Sequence, residues 1–297
     1  MSTTIKGKTK ILGIFGYPVK HTFSPAMHNA VFAELGLDYV YVPFEVNPDN
    51  IARAVDSIRA LDLAGVNVTI PHKSAVLPHL DVLDRNARII GAVNTIVNDG
   101  GVLTGYNTDA PGFVKSLEED AGVSPKGKQV FILGAGGAAR AISIQLALAG
   151  AGEIRFSSPF PQEITGLSQT ILEHTSAKVG QVLWSRDEIS KNLGAVDIFI
   201  NATPVGMHPH HDAMPPVELA GLPKNALVCD LIYNPRETLL QRKAKERGLA
   251  VLNGMGMLLY QGAIAFQLWT GIEPPIDIMR NALEKSSKTV GLSLEGI

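Results

Sequence analysis

Short apolar runs rich in β-forming residues alternate with longer stretches of helical period through most of the chain. That alternation restricts the fold more than any other feature of the sequence. The runs are 11–15 (ILGIF), 39–44 (YVYVPF), 65–70 (GVNVTI), 129–134 (QVFILG), 153–157 (EIRFS), 197–202 (DIFINA) and 226–232 (ALVCDLI). Strands separated by helix-length segments favour parallel sheets covered by helices, so the fold class is α/β. At 297 residues the chain is about twice the ~150 residues of one domain, which predicts two domains.

Local signals place the boundaries. Ser24 as cap, Pro25 in the first turn and Gly36 as terminator predict a helix over 25–35. Within 91–109 the pattern changes to two short β-like runs around Asn98-Asp99-Gly100-Gly101, a hairpin signal, ending in Gly105-Tyr106-Asn107-Thr108-Asp109. The reading is an N-terminal domain over 1–109, a second domain over 110–253 and a C-terminal segment over 254–297. That last segment carries helices over 256–270 and 275–288 with no strand to pair, so they are expected to return to the domain interface and the first domain.

Composition excludes several function classes. A net charge of −2 supplies no basic field for nucleic acid or an anionic membrane. No apolar run approaches the ~18 residues of a membrane span, and the polar start MSTTIKGKTK lacks the apolar core of a secretory signal. The single cysteine, Cys229, cannot form an intramolecular disulfide. These features predict a soluble cytoplasmic protein. Glycine, at 29 residues without a collagen-like period, points to tight turns and close backbone approaches to a ligand.

The strongest local motif is Val130-Phe131-Ile132-Leu133-Gly134-Ala135-Gly136-Gly137-Ala138-Ala139, an apolar strand entering a glycine turn and then a helix over Arg140 to Leu148. Such a turn lets a pyrophosphate approach free N–H groups at a helix N-terminus, and the strand and helix context makes this a dinucleotide fingerprint. The next strand ends in Ser157-Ser158-Pro159-Phe160, which offers neither an acid for a ribose 2′-OH nor an arginine for a 2′-phosphate. Asn201-Ala202-Thr203-Pro204-Val205-Gly206-Met207 lies at another carboxyl edge, where it can line a ligand or be an ordinary loop.

In the first domain, polar residues collect at strand ends: Thr22 and Ser24, then Asn67, Thr69 and Lys73, then Asn94 and Asp109. Hydroxyls, amides, an ammonium and a carboxylate together suit a small ligand bearing hydroxyls and a carboxylate. Each also has an ordinary structural use: Ser24 and Asp109 as helix caps, Lys73 as a solvated first-turn lysine. Their joint occurrence beside a nucleotide motif carries the functional reading. His208, His210, His211 and Asp212 lack regular metal-site spacing and sit in a Pro-containing loop, so no metal is predicted. The apolar residues of 255–269 read as core, with Gln261 the polar exception.

Seven motifs resemble those of the shikimate dehydrogenase (shikimate/quinate dehydrogenase) family: GYPVKHTFSP at 16–25, NVTIPHK at 67–73, GAVNT at 91–95, NTD at 107–109, and GMGML at 254–258 ahead of Gln261, together with GAGGA and NATPVGM. The resemblance implies a Rossmann-like second domain and NADPH-dependent reduction of 3-dehydroshikimate to shikimate in aromatic amino acid biosynthesis. An NAD-dependent quinate/shikimate dehydrogenase is the alternative, and a non-catalytic shikimate-binding regulator a remote one.

By motif position, the resemblance assigns catalysis to Lys73 and Asp109, and substrate contacts to Thr22, Ser24, Thr69, Asn94, Tyr233 and Gln261. Asp109 would also accept a substrate hydroxyl. Cofactor contacts fall to Gly134, Ala135, Gly136, Gly137, Ala138, Ser158, Thr203, Gly254 and Met257. A small-molecule substrate, no nucleic-acid or membrane partner, and a monomer or homodimer are expected. Two positions depart from the family. Thr22 replaces the usual serine and adds a methyl group, and Ser158-Pro159-Phe160 replaces Asn-Arg-Thr, which leaves the preference between NADP and NAD open.

Overall fold

The computed structural model of the protein describes residues 5–294. Two compact units form, one running to Thr108 and resuming at Gln261, the other Asp109–Tyr260. Each is built on its own six-stranded sheet.

In the first unit β1 (Lys10–Gly16), α1 (Ser24–Glu34), β2 (Tyr39–Glu45), α2 (Ile51–Ala60) and β3 (Gly65–Val68) alternate, with β1 lying between β2 and β3 and parallel to both. There follow β4 (Val82–Leu83), α3 (Arg85–Ile90), β5 (Thr95–Asp99) and β6 (Val102–Tyr106), giving the order β2-β1-β3-β5-β6-β4. β5 runs antiparallel to β3 and β6, so this sheet is mixed. The predicted hairpin turns at Gly100-Gly101, with φ of +56° and +93°. Two left-handed residues in succession are what the strand twist demands of a two-residue connection, and glycine takes them without steric cost.

One local expectation is corrected. Ser24 does not cap α1: Phe23 takes the N-cap position with no side-chain bond, and Ser24 is the first helical residue. Its side chain is buried, and Thr22 Oγ1 donates to its hydroxyl. Pro25 does occupy the first turn, where its missing N–H costs nothing.

The second unit opens with α4 (Asp109–Ala121) and continues with β7 (Gln129–Leu133), α5 (Gly137–Leu148), β8 (Glu153–Ser157), α6 (Pro161–His174), β9 (Lys178–Gln181), α7 (Arg186–Lys191), β10 (Ile198–Asn201), β11 (Leu227–Asp230), α8 (Leu239–Glu246) and β12 (Ala250–Leu252). The order is β12-β11-β10-β7-β8-β9, with every pair parallel. This is the doubly wound arrangement, and the order in which strands are added reverses between β7 and β10. Phe131, Ile132, Phe199, Ile200 and Val228 are buried in the central strands, as continuous apolar runs covered on both faces must be. β4, β9 and β12, unmarked in the sequence pattern, are two to four residues long at sheet edges.

The chain passes from the second unit to the first within α9 (Gly254–Thr270). In the first unit, the Trp269 indole N–H donates to the Ile96 carbonyl at 2.9 Å, and Gly65 of β3 leaves room for that indole where any Cβ would collide. Then α10 (Ile276–Leu294) packs against α1.

Candidate active site

The polar residues at the strand ends of the first unit form a connected network. Asn67 in β3 is buried; its amide donates to the Asn94 carbonyl and to Thr95 Oγ1, each at 3.0 Å. Asn94 lies just before β5, and its own amide donates to Thr108 Oγ1 at 2.9 Å and to Gln261 Oε1 at 3.3 Å. Its Oδ1 accepts from the Thr108 N–H at 2.6 Å. Buried amides need such partners, and here each fixes the orientation of the next.

Around this centre, Thr22 Oγ1 lies 3.3 Å from Ser24 Oγ. Thr69, directly after β3, is held through its backbone N–H to the Phe15 carbonyl at 2.8 Å. Its methyl fills the space that Gly16 leaves by having no Cβ. Lys73 is half-buried in the turn that follows, and its carbonyl accepts from the Val93 N–H at 2.8 Å. Substrate-site candidates Thr22, Ser24, Thr69, Asn94 and Gln261 thus share this unit with Lys73.

In the second unit the glycine turn follows β7. Gly134, at φ +98°, is braced by a 2.8 Å bond from its N–H to the Ser157 carbonyl, and a Cβ there would press within 3.1 Å of the Ala202 carbonyl. The GAGGA turn therefore abuts the NATPVGM loop. Gly136 and Gly137 face open space at the N-terminus of the twelve-residue α5. Free N–H groups, a helix dipole and bare glycine backbone fit the pyrophosphate of a dinucleotide.

Beneath the NATPVGM loop lies a carboxylate that the sequence reading missed. Asp230, ending β11, accepts from Asn201 Nδ2 at 3.1 Å, from the Ile232 N–H at 3.1 Å and from Thr238 Oγ1 at 2.7 Å. Asn201 in turn accepts from the Thr203 N–H and hydroxyl at 3.1 and 2.7 Å. Burial lifts the Asp230 carboxyl to about 6 against the opposing effect of these three bonds. An acidic residue closing an otherwise apolar run was the available signal.

Asp109 is the half-buried first residue of α4, and Tyr233 is exposed after β11; both belong to the second unit. Gly254 opens α9 pressed against the Leu231 backbone, with Met257 one turn on. Among the described residues no group of three or more His, Cys, Asp or Glu is placed to hold a metal ion, although the His208 and His211 rings lie 5.4 Å apart.

Residues 14–96 match the family described as shikimate dehydrogenase substrate binding domain, and residues 254–284 the shikimate 5′-dehydrogenase C-terminal domain. A shikimate dehydrogenase (NADP(+)) of Desulforamulus reducens is 51% identical over 281 residues, which span 95% of this chain and 97% of that one. The chain belongs to the shikimate dehydrogenase family. A crystal structure of shikimate 5-dehydrogenase from Listeria monocytogenes, in complex with shikimate and NAD, superposes with a TM-score of 0.91 at 40% identity, covering 95% of this chain and 99% of that one. The ligand-free 5-ketofructose reductase of a Gluconobacter strain does so at 0.88 and 38%, covering 94% and 99%.

Set in this family, the strand end after β8 keeps its distinct character. Ser158 is buried, and its hydroxyl accepts from the Phe160 N–H at 3.1 Å, while Phe160 is exposed ahead of α6. Arg155, the arginine nearest in sequence, is paired with Glu153 at 2.8 Å. Arg140 in α5 reaches Thr170 of α6 at 3.3 Å.

Proposed function

We propose that this protein catalyses the reversible NADPH-dependent reduction of 3-dehydroshikimate to shikimate. The observation that carries this reading is the Asn67–Asn94–Thr108–Gln261 network beside Lys73, in a chain half identical over nearly its full length to a shikimate dehydrogenase (NADP(+)). The first unit is taken as the substrate unit and the second as the dinucleotide unit, with Gly134, Ala135, Gly136, Gly137, Ala138, Ser158, Thr203, Gly254 and Met257 as cofactor contacts. A cytoplasmic enzyme working as a monomer or homodimer is inferred. Among the described residues no helix is long and apolar enough to cross a membrane.

When bound, the nicotinamide supplies or accepts hydride. The chain must then manage the proton on the substrate oxygen, because an alkoxide is too basic to persist near neutrality. Lys73 is the proposed donor: as an ammonium it polarises the carbonyl and passes its proton to the oxygen. Asp109 is the proposed carboxylate of the pair and takes a substrate hydroxyl. Thr22, Ser24, Thr69, Asn94, Gln261 and Tyr233 hold the remaining hydroxyls and carboxylate of the ring acid.

The sequence Ser158-Pro159-Phe160 gives a second reading weight, a quinate/shikimate dehydrogenase working with NAD. Absorbance at the nicotinamide band, with shikimate and quinate each tested against NADP⁺ and NAD⁺, decides between them. Turnover of shikimate with NADP⁺ at least as good as with NAD⁺ is expected; turnover of quinate and shikimate with a clear preference for NAD⁺ would replace this reading with the second.

A further inference from the structure

The network contains a residue to which no role has been given. Tyr41 is buried at the centre of the edge strand β2 and is held from three sides. The His28 ring stacks on it at 4.5 Å and the Trp269 ring lies 6.0 Å away. Asn29 Nδ2 donates to the Tyr41 carbonyl and Asn29 Oδ1 accepts from its N–H, both at 2.8 Å. Ring and backbone are thereby fixed independently.

The phenol is the part that faces the site. Its hydroxyl lies 2.7 Å from Asn67 Oδ1. The proton order follows from the partners. Asn67 Nδ2 must donate to the Asn94 carbonyl, which can only accept, so Asn67 Oδ1 is the atom turned to Tyr41. An amide oxygen only accepts; the tyrosine therefore donates to Asn67. One buried hydroxyl thus sets the Asn67 amide and, through it, the main chain of Asn94.

We propose that Tyr41 is a positioning residue for the ring acid: its hydroxyl, donating to Asn67, fixes the amide that holds Asn94 and so presents the Asn94 side chain to the substrate. The proposal rests on the reading of Asn94 as a substrate contact. Tyr41 touches neither hydride nor transferred proton, so its effect belongs in substrate binding. Loss of the hydroxyl leaves Asn67 Oδ1 without its donor.

The test is steady-state kinetics of Tyr41→Phe, Asn94→Ala and the double variant. Tyr41→Phe is expected to raise KM for shikimate about 5- to 20-fold, with kcat within about threefold and KM for NADP⁺ unchanged, the range of a lost or misdirected hydrogen bond. A merely destabilising change would lower the active fraction, hence kcat, and spare KM. If Tyr41 acts through Asn94, the double variant has nearly the KM of the worse single one; independent, multiplying effects would overturn the proposal. Asn94→Ala with unchanged KM would instead refute the substrate role of Asn94, and the proposal with it.

Should Tyr41→Phe fail to fold, wild-type protein carrying ¹³Cζ-tyrosine gives a second readout. The Tyr41 signal is expected to move on saturation with shikimate and to stay still with NADP⁺. No movement with shikimate would overturn the proposal.

Discussion

The Asn29 side chain pairs with both backbone groups of Tyr41, at 2.8 Å each, on the open side of the edge strand β2. Lys10 N–H donates to the Asp38 carbonyl and Val46 N–H to the Gly16 carbonyl, so even-numbered residues of this segment face β1 and odd-numbered ones face outward. Of the outward positions, Tyr39 N–H is spent on the Leu37 carbonyl, Tyr41 is occupied by Asn29, and Pro43 has no N–H. An exposed edge that would otherwise template pairing with another chain is thus closed by one side chain and one proline. Asn29→Ala is expected to lower unfolding stability by about 1–3 kcal/mol for the stranded backbone groups, and to speed aggregation on mild heating. Thermal unfolding followed together with light scattering checks it; wild-type behaviour in both would show that the clamp is dispensable.

Lys73→Ala should lower kcat by about 10² to 10⁴, the usual range for a positioned acid or base, while shikimate binding weakens far less. Asp109→Ala should be comparably damaging. A raised KM with intact kcat in Lys73→Ala would make the lysine a binding residue only, and the proton would need another donor.

The α/β class was legible because buried parallel strands are short, apolar and evenly spaced, as in β7, β10 and β11. The strand ends were legible too, since Thr22, Thr69, Lys73 and Asn94 are polar residues where apolar runs stop. What escaped was geometry made by tertiary partners. Ser24 has a cap's identity and neighbours, yet its hydroxyl accepts from Thr22, and the Asn67 amide oxygen is taken by Tyr41 of β2, which no local pattern announces. Tyr41 sits in a run of alternating Tyr and Val that reads simply as strand. The three extra strands were hidden by brevity: two to four residues cannot display a period.

Cofactor choice should be weakly selective, with NADP modestly preferred. A 2′-phosphate bears about two negative charges and is bound best by a guanidinium through charge-assisted bonds. After β8 the chain offers Ser158, whose hydroxyl already accepts from Phe160 N–H, then Pro159 without a donor. Arg155 is committed to Glu153. No acid stands at 158–160 to repel the phosphate either, so neither cofactor is excluded. The ratio of kcat/KM values for NADP⁺ over NAD⁺ should fall well below roughly a thousandfold, about 4 kcal/mol, and Pro159→Arg should raise it. A larger ratio in the wild type would require a cationic phosphate site elsewhere in the second unit.

Acid should expose the burial of His28. Its ring lies among Phe32, Tyr41, Phe266 and Trp269, neither ring nitrogen has a partner, and burial pulls its pKa from 6.5 to about 3. Above pH 6.5 the imidazole is neutral whether the chain is folded or not, and no stability depends on it. Below that, the unfolded chain binds a proton that the folded one refuses, so stability falls with pH down to about 3. At pH 5 the loss is about 2 kcal/mol, from ~1.4 kcal/mol per pH unit. Asp230 works in the opposite sense: its folded pKa of about 6 exceeds the usual 3.8, so the folded state holds the extra proton and gains stability as pH falls through that window. The two contributions partly cancel in the wild type, which makes the comparison with a variant the informative one. His28→Phe fits an aromatic surrounding and removes both unpaired nitrogens. Between pH 7 and pH 5 it should lose about 2 kcal/mol less than the wild type in denaturant unfolding. Parallel pH profiles for the two proteins would mean that the folded chain accepts a proton at His28 after all.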